Sequence, residues 1–127
     1  MIIEPAKKII IKESPGKGLG VFATDKIKQG EIIEVCPLFD IKADHGHTFM
    51  VDYHFNYPKY QPKTFVIPWG YGCLYNHSDT PNADWIEHQT EFAFIFYSMR
   101  DIQPEEEICT FYGDEKYWGK RPHIEKI

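Results

Sequence analysis

The hydrophobic positions of this chain fall into many short runs, and none of them is long. Ile9, Ile10 and Ile11 dominate the segment Lys8 to Lys12, which predicts a strand closed by a turn at Ser14-Pro15-Gly16-Lys17-Gly18. Val21-Phe22-Ala23 predicts a second short strand, Gln29-Gly30 a turn, and Glu31 to Cys36 a third strand. Residues 37–68 carry no regular period. Further on, Ala83 to His88 and Glu91 to Ser98 predict two strands around a tight turn. In the second of these Phe92, Phe94 and Phe96 share one face while Ala93, Ile95 and Tyr97 share the other, so both faces are apolar and the strand is expected to be buried on both sides. Gln103-Pro104 interrupts the chain before a last strand, Glu107 to Tyr112, that ends at Gly113. No stretch beyond about ten residues keeps a helical period, which predicts a mainly β chain with one or two helical turns.

Length and composition narrow this picture. At 127 residues the natural reading is one domain over 1–127, and a chain of this size buries about two-thirds of its unfolded surface. The 43% apolar and 16% aromatic content argues against a disordered chain. A net charge of −5 argues against direct nucleic-acid binding, which wants a basic surface; it fits a basic peptide as partner better, and it equally fits a charge that serves solubility alone. Cys36, Cys73 and Cys109 stand far apart, an odd and scattered set that argues against a disulfide framework or a Cys-rich zinc cluster. Met1-Ile2-Ile3-Glu4-Pro5 is too short an apolar run for a signal peptide, and nothing approaches the roughly 20 apolar residues of a membrane span. An intracellular, soluble protein is expected.

Taken singly, the motifs are ambiguous. Gly16-x-Gly18-x-Gly20 lacks the dinucleotide-binding spacing and runs into a strand instead of a helix, although its glycines allow close backbone approach to a ligand. Asn76-His77-Ser78, followed by Pro81-Asn82, reads alone as turn chemistry. His45, His47 and His54 have no acidic or thiol companions at ligand spacing, and the pair Cys73 and His77 lacks a third and fourth ligand, so no metal site is expected.

In order, however, Gly18-Leu19-Gly20-Val21-Phe22-Ala23, Asn76-His77-Ser78 with Pro81-Asn82, and Glu106-Glu107-Ile108-Cys109-Thr110-Phe111-Tyr112 resemble the ordered motifs of the SET-domain lysine methyltransferases over nearly the whole chain. The ending Tyr112-Gly113-Asp114-Glu115-Lys116-Tyr117-Trp118, with Arg121-Pro122 beyond, is similar to the tail of a minimal stand-alone viral member, a histone methyltransferase. Cys109 and Phe111 depart from the usual Thr and Asp, and the Cys-rich zinc modules that flank many members have no counterpart.

The resemblance implies a mainly β, β-clip-like SET architecture of short strands, with a pseudoknot joining the Asn-His-Ser segment to the last strand and one or two short helices. It implies S-adenosylmethionine-dependent methylation of a lysine ε-amine in a protein, with a histone-like basic tail as substrate, and, from the viral member, a homodimer. It makes Tyr112 the catalytic tyrosine and Tyr53 the second channel tyrosine. Lys17, Gly18, Leu19, Gly20, Asn76, His77, Tyr112 and Trp118 become cofactor contacts, and Trp85 and Thr110 join Tyr53 and Tyr112 along the substrate channel. Two rival readings are a catalytically inactive SET-like module that binds only peptide or cofactor, and a small β-rich interaction protein. With no metal cluster visible in the sequence, methyl transfer is expected to persist in excess EDTA; turnover lost to the chelator and restored by zinc would reassign His45, His47 or the cysteines.

Overall fold

The computed structural model describes residues 2–41 and 54–113. Nine strands fall among them: β1 Ile9–Ser14, β2 Gly18–Ala23, β3 Ile32–Asp40, β4 Phe55–Tyr57, β5 Thr64–Pro68, β6 Asn76–His77, β7 Ala83–Glu87, β8 Ala93–Ser98 and β9 Glu107–Thr110. They form a four-stranded sheet in the order β1-β2-β9-β6 and a five-stranded sheet in the order β4-β5-β3-β8-β7. No helix occurs among the described residues, so none there is long and apolar enough to cross a membrane.

The predicted strands are present with small shifts of boundary. The turn after Ser14 makes β1 and β2 a hairpin, in which Ser14 pairs with Gly18 and Ile11 with Val21. β3 runs on to Asp40, beyond its predicted end at Cys36, because Leu38, Phe39 and Asp40 find partners in β5. The irregular region 37–68 contains β4 and β5, which pair from Phe55↔Val66 to Tyr57↔Thr64. The last strand stops at Thr110 instead of Tyr112, since its pairing with β6 ends at His77↔Thr110.

β8 lies between β3 and β7, and Phe94 and Phe96 are fully buried. Ile95 and Tyr97 on the opposite face are half-buried, and Phe92, just before the strand, is exposed. Burying one such aromatic side chain contributes about 1.5–3 kcal/mol. The core around β8 gathers Val21 and Ile108 from the four-stranded sheet, Cys36 and Val66 from the five-stranded sheet, and Ile27 and Tyr75 from the connections between strands. The five-stranded sheet curls until its edges meet: Phe55 of β4 packs edge-on against Trp85 of β7, with ring centroids 5.1 Å apart, and Tyr57 against Phe92 at 5.0 Å. Strand twist accumulated across five strands makes that closure natural.

The approach to β9 is held by charge. Glu106 accepts from the Arg100 guanidinium, from the Gln103 N–H at 3.0 Å and from the Asn82 amide at 3.4 Å. The Arg100 contact above all holds its carboxyl below the usual carboxylate range, against an opposing effect of burial. A carboxyl depressed in the folded state contributes stability that is present above its unfolded pKa and is lost as pH falls through the folded one. The urea midpoint is therefore expected to drop below about pH 4–5, and Glu106→Gln to drop less over the same interval. Parallel midpoint-versus-pH curves from pH 7 to pH 3 would show that Glu106 carries none of this dependence.

Candidate functional site

β9 lies between β2 and β6, and that position assembles the site. It pairs antiparallel with β2 (Val21↔Ile108) and parallel with β6 (Asn76↔Cys109, His77↔Thr110). A parallel neighbour requires a long crossover, here the chain through β7 and β8. Asn82 fixes the register. Its own N–H donates to the Cys109 carbonyl at 3.2 Å, its side-chain oxygen accepts the Cys109 N–H at 2.8 Å, and its amide donates to the Glu107 carbonyl at 2.8 Å. The Ser78 N–H adds a bond to the Thr110 carbonyl at 3.0 Å. Residues 76–82 and 107–112 are thus hydrogen-bonded side by side, which brings together the two segments that the resemblance pairs.

Lys17, Gly18, Leu19, Gly20, Asn76, His77 and Tyr112 come together around this seam. The Asn76 amide donates to the Leu19 carbonyl at 3.1 Å and to Glu107 Oε2 at 2.8 Å. Glu107 Oε1 accepts the Ser14 hydroxyl at 2.9 Å. A Cβ on Gly20 would stand 2.8 Å from Asn76 Nδ2 and closer still to Glu107 Oε2, so the glycine lets these two side chains lie against β2 where a larger residue would displace them. Lys17 Nζ reaches the His77 carbonyl at 3.4 Å.

His77 is buried, and its surroundings fix its tautomer. Nδ1 accepts the Tyr112 N–H at 2.9 Å, so in the neutral ring Nε2 carries the proton and donates it to Asp79 Oδ1 at 2.7 Å. The imidazole therefore holds the main chain of Tyr112, while the Tyr112 hydroxyl donates to the Tyr75 carbonyl. The tyrosine is pinned at both ends and remains partly exposed. Phe111, exposed, lies with its ring 5.3 Å from that of His77.

Thr110 and Trp85 stand differently. Thr110 is buried at the end of β9, and Tyr112 lies past the strand, so the alternation that would place the two on one strand face does not extend to Tyr112. Trp85 packs on Phe94, ring centroids 4.5 Å apart, with the Lys59 ammonium 4.4 Å from its ring centre. Lys59 Nζ is also bonded to Asp84 Oδ1 and to the Trp85 carbonyl, both at 2.7 Å. Trp85 is the cross-strand partner of Phe96, on which Tyr75 stacks at 4.7 Å. Tyr53, Trp118, His45 and His47 lie outside the described residues; His54 packs on Phe65, ring centroids 4.3 Å apart. Burial pushes the Cys109 thiol up to about 11, with the Glu107 carboxylate adding to the shift, which leaves a protonated group with little nucleophilic character at neutral pH.

Ser14, Tyr75, Glu107 and the clasping role of Asn82 were not legible as site features in the sequence. Tyr75 adjoins one motif and Glu107 lies within another, but a main-chain carbonyl that receives a hydroxyl 37 residues away leaves no sequence signal.

The profile of the family described as SET domain matches residues 18–113, a span from the start of β2 to the residue after Tyr112. A Schizosaccharomyces pombe protein named histone-lysine N-methyltransferase, H3 lysine-37 specific, is 27% identical over 115 residues, covering 85% of this chain and 75% of its own length. A crystal structure of a Plasmodium falciparum protein provisionally assigned as a histone methyltransferase superposes with a TM-score of 0.72 at 37% identity, over 87% of this chain and 97% of its own. The clasp at the centre of the matched region has a measurable weight. Asn82→Ala leaves the Cys109 N–H and the Glu107 carbonyl without their buried partner, and is expected to lower unfolding free energy by about 2–4 kcal/mol. A urea titration measures it, and a loss under about 0.5 kcal/mol, the scale of an ordinary surface change, would deny Asn82 that role.

Proposed function

The chain belongs to the SET-domain family, and from that premise we propose that it transfers a methyl group from S-adenosylmethionine to the ε-amine of a lysine in a basic protein segment, with a histone tail as the substrate class. The single observation that carries this reading is the seam between β6 and β9, where Tyr112 is bonded through its N–H to His77 and through its hydroxyl to the Tyr75 carbonyl, one residue from Asn76.

The residues of the seam fit a zwitterionic amino-acid moiety. Lys17 offers a cation for a carboxylate, while the Leu19 carbonyl and the Asn76 side-chain oxygen offer acceptors for an ammonium, where Gly20 lets the Asn76 side chain lie close against β2. S-adenosylmethionine supplies such a moiety together with a methyl on a positively charged sulfur. Lys17, Gly18, Leu19 and Gly20 would hold the methionine part, Asn76 and His77 the amino group and the adenine edge, and Trp118 would stack on the adenine.

The chain's own part in the reaction is positioning and electrostatics. A lysine amine has a pKa near 10.4 in water and must lose its proton to act as a nucleophile. An aromatic channel favours the neutral amine by desolvation, and its ring faces attract cationic groups; Tyr53, Trp85, Thr110 and Tyr112 are its proposed lining. Tyr112 donates its one hydroxyl proton to the Tyr75 carbonyl, which leaves its oxygen to act as an acceptor beside developing positive charge. The −5 charge of the chain suits a basic tail and adds electrostatic attraction to it.

Tyr112→Phe tests the reading, because it removes one hydroxyl and keeps the ring. Single-turnover methylation of histone H3 is expected to fall about 10²–10³-fold, the usual loss for one transition-state dipole, while S-adenosylmethionine affinity by calorimetry stays within about threefold. A variant that methylates at the parental rate would remove Tyr112 from the chemistry. Wild-type protein that binds S-adenosylmethionine yet methylates no histone or basic peptide would make the chain a binding module.

A further inference from the structure

Glu34 is a carboxylate in an otherwise apolar stretch of β3, Ile32-Ile33-Glu34-Val35-Cys36, and it is buried at 8% exposure. An acid buried without compensation is costly, so its partners are informative. Oε1 accepts the Tyr75 hydroxyl at 2.7 Å, and Oε2 accepts the Tyr71 N–H at 2.8 Å. Gly70, at φ +75°, brings the loop after β5 so close that any Cβ there would overlap Glu34 Oε2. One carboxylate thus holds both ends of the segment that runs from Tyr71 into Asn76. Tyr75 is 1% exposed and is fixed a second time by stacking on Phe96, with an interplanar angle of 22°.

The segment has two products at the site. The carbonyl of Tyr75 receives the Tyr112 hydroxyl, and the next residue, Asn76, reaches the Leu19 carbonyl. We propose that Glu34 is a positioning residue for methyl transfer: by gripping the Tyr75 hydroxyl and the Tyr71 N–H it sets where the Tyr75 carbonyl stands, and through that carbonyl it sets the Tyr112 hydroxyl. The proposal rests on the role given above to Tyr112. The hydrogen bonds of Glu34 go to Tyr71 and Tyr75, and it reaches Tyr112 through the Tyr75 carbonyl. A carboxylate suits the task because both its oxygens accept, and here each meets a donor; a glutamine would turn an NH₂ toward one of the two.

The experiment uses the full chain carrying 3-fluorotyrosine, whose eight tyrosines give eight fluorine signals, with the Tyr112 signal assigned by its loss in Tyr112→Phe. In the protein without ligand, Glu34→Gln is expected to shift the signals of Tyr75 and Tyr112 and to leave those of Tyr57 and Tyr60 in place. An unmoved Tyr112 signal overturns the proposal, independently of any activity. The kinetic arm is a double-mutant cycle with S-adenosylmethionine and histone H3. Glu34→Gln is expected to lower the single-turnover rate about tenfold or more in the parental protein, the scale of a sub-ångström misplacement, and less than about twofold in Tyr112→Phe, because the hydroxyl it positions is already gone. Equal losses in both backgrounds would mark a general structural role and also overturn it. Should Glu34→Gln fail to fold, Tyr75→Phe, which removes the same grip from the other side, replaces it in both arms, and failure of both to fold makes Glu34 structural. If Tyr112→Phe alone leaves the rate unchanged, the role given above to Tyr112 fails, and if the wild-type protein methylates nothing, the function proposed above fails; both results are read before the cycle is closed.

Discussion

Everything at the candidate site depends on β9 being held between β2 and β6. β6 is only two residues long, so its parallel ladder with β9 supplies few bonds of its own. The buried side chain of Asn82 acts as a further strand partner, accepting from one β9 residue and donating to another. A buried amide that satisfies two main-chain groups is difficult to replace, because any smaller or apolar side chain strands both groups away from water. This constraint brings the Gly18–Gly20 edge, Asn76-His77 and Tyr112 together, although they are separated by up to ninety-odd residues of chain.

Around that clasp the site is built mainly of fixed hydrogen bonds. His77 is specified by an N–H on one side and a carboxylate on the other, Asn76 by a carbonyl and a carboxylate, and Tyr112 by an imidazole and a carbonyl. Such pre-organisation suits the methyl transfer proposed above, because groups that already hold one another in place have little to reorganise. The stacked and edge-on aromatic contacts that lead from Tyr75 through Phe96 and Phe55 to Trp85 tie this end of the molecule to the curled sheet.

The two sheets divide the work. The four-stranded sheet carries the seam, both sheets contribute to the core, and Glu34 on β3 connects them through the loop that enters β6. Lys59 closes the opposite side, with its ammonium held by Asp84 and lying over Trp85. That cation spans from the loop after β4 to β7, the two edges of the five-stranded sheet, and so stabilises the curl that packing of Phe55 on Trp85 begins.

The sequence by itself determined the β-rich class, most of the strands and the ordered motifs. Ile9–Ile11, Phe94–Phe96 and the turn at Ser14–Gly18 carry local signals of period, branching and turn chemistry, and local signals survive in one dimension. It marked Gly18, Gly20, Asn76, His77 and Tyr112, which the fold gathers at one seam. Glu34 was read only as part of the strand Glu31 to Cys36, and its meaning lay in partners 37 and 41 residues away. β4, β5 and the two-residue β6 were not legible, because short strands are defined by the neighbours they pair with and not by their own residues. For the same reason the end of β9 at Thr110, the clasp made by Asn82 and the grip of the Tyr75 carbonyl on Tyr112 belong to the tertiary structure alone: each is a hydrogen bond between groups far apart in the chain, and the strength of such a bond is set by burial and geometry, which no local pattern encodes.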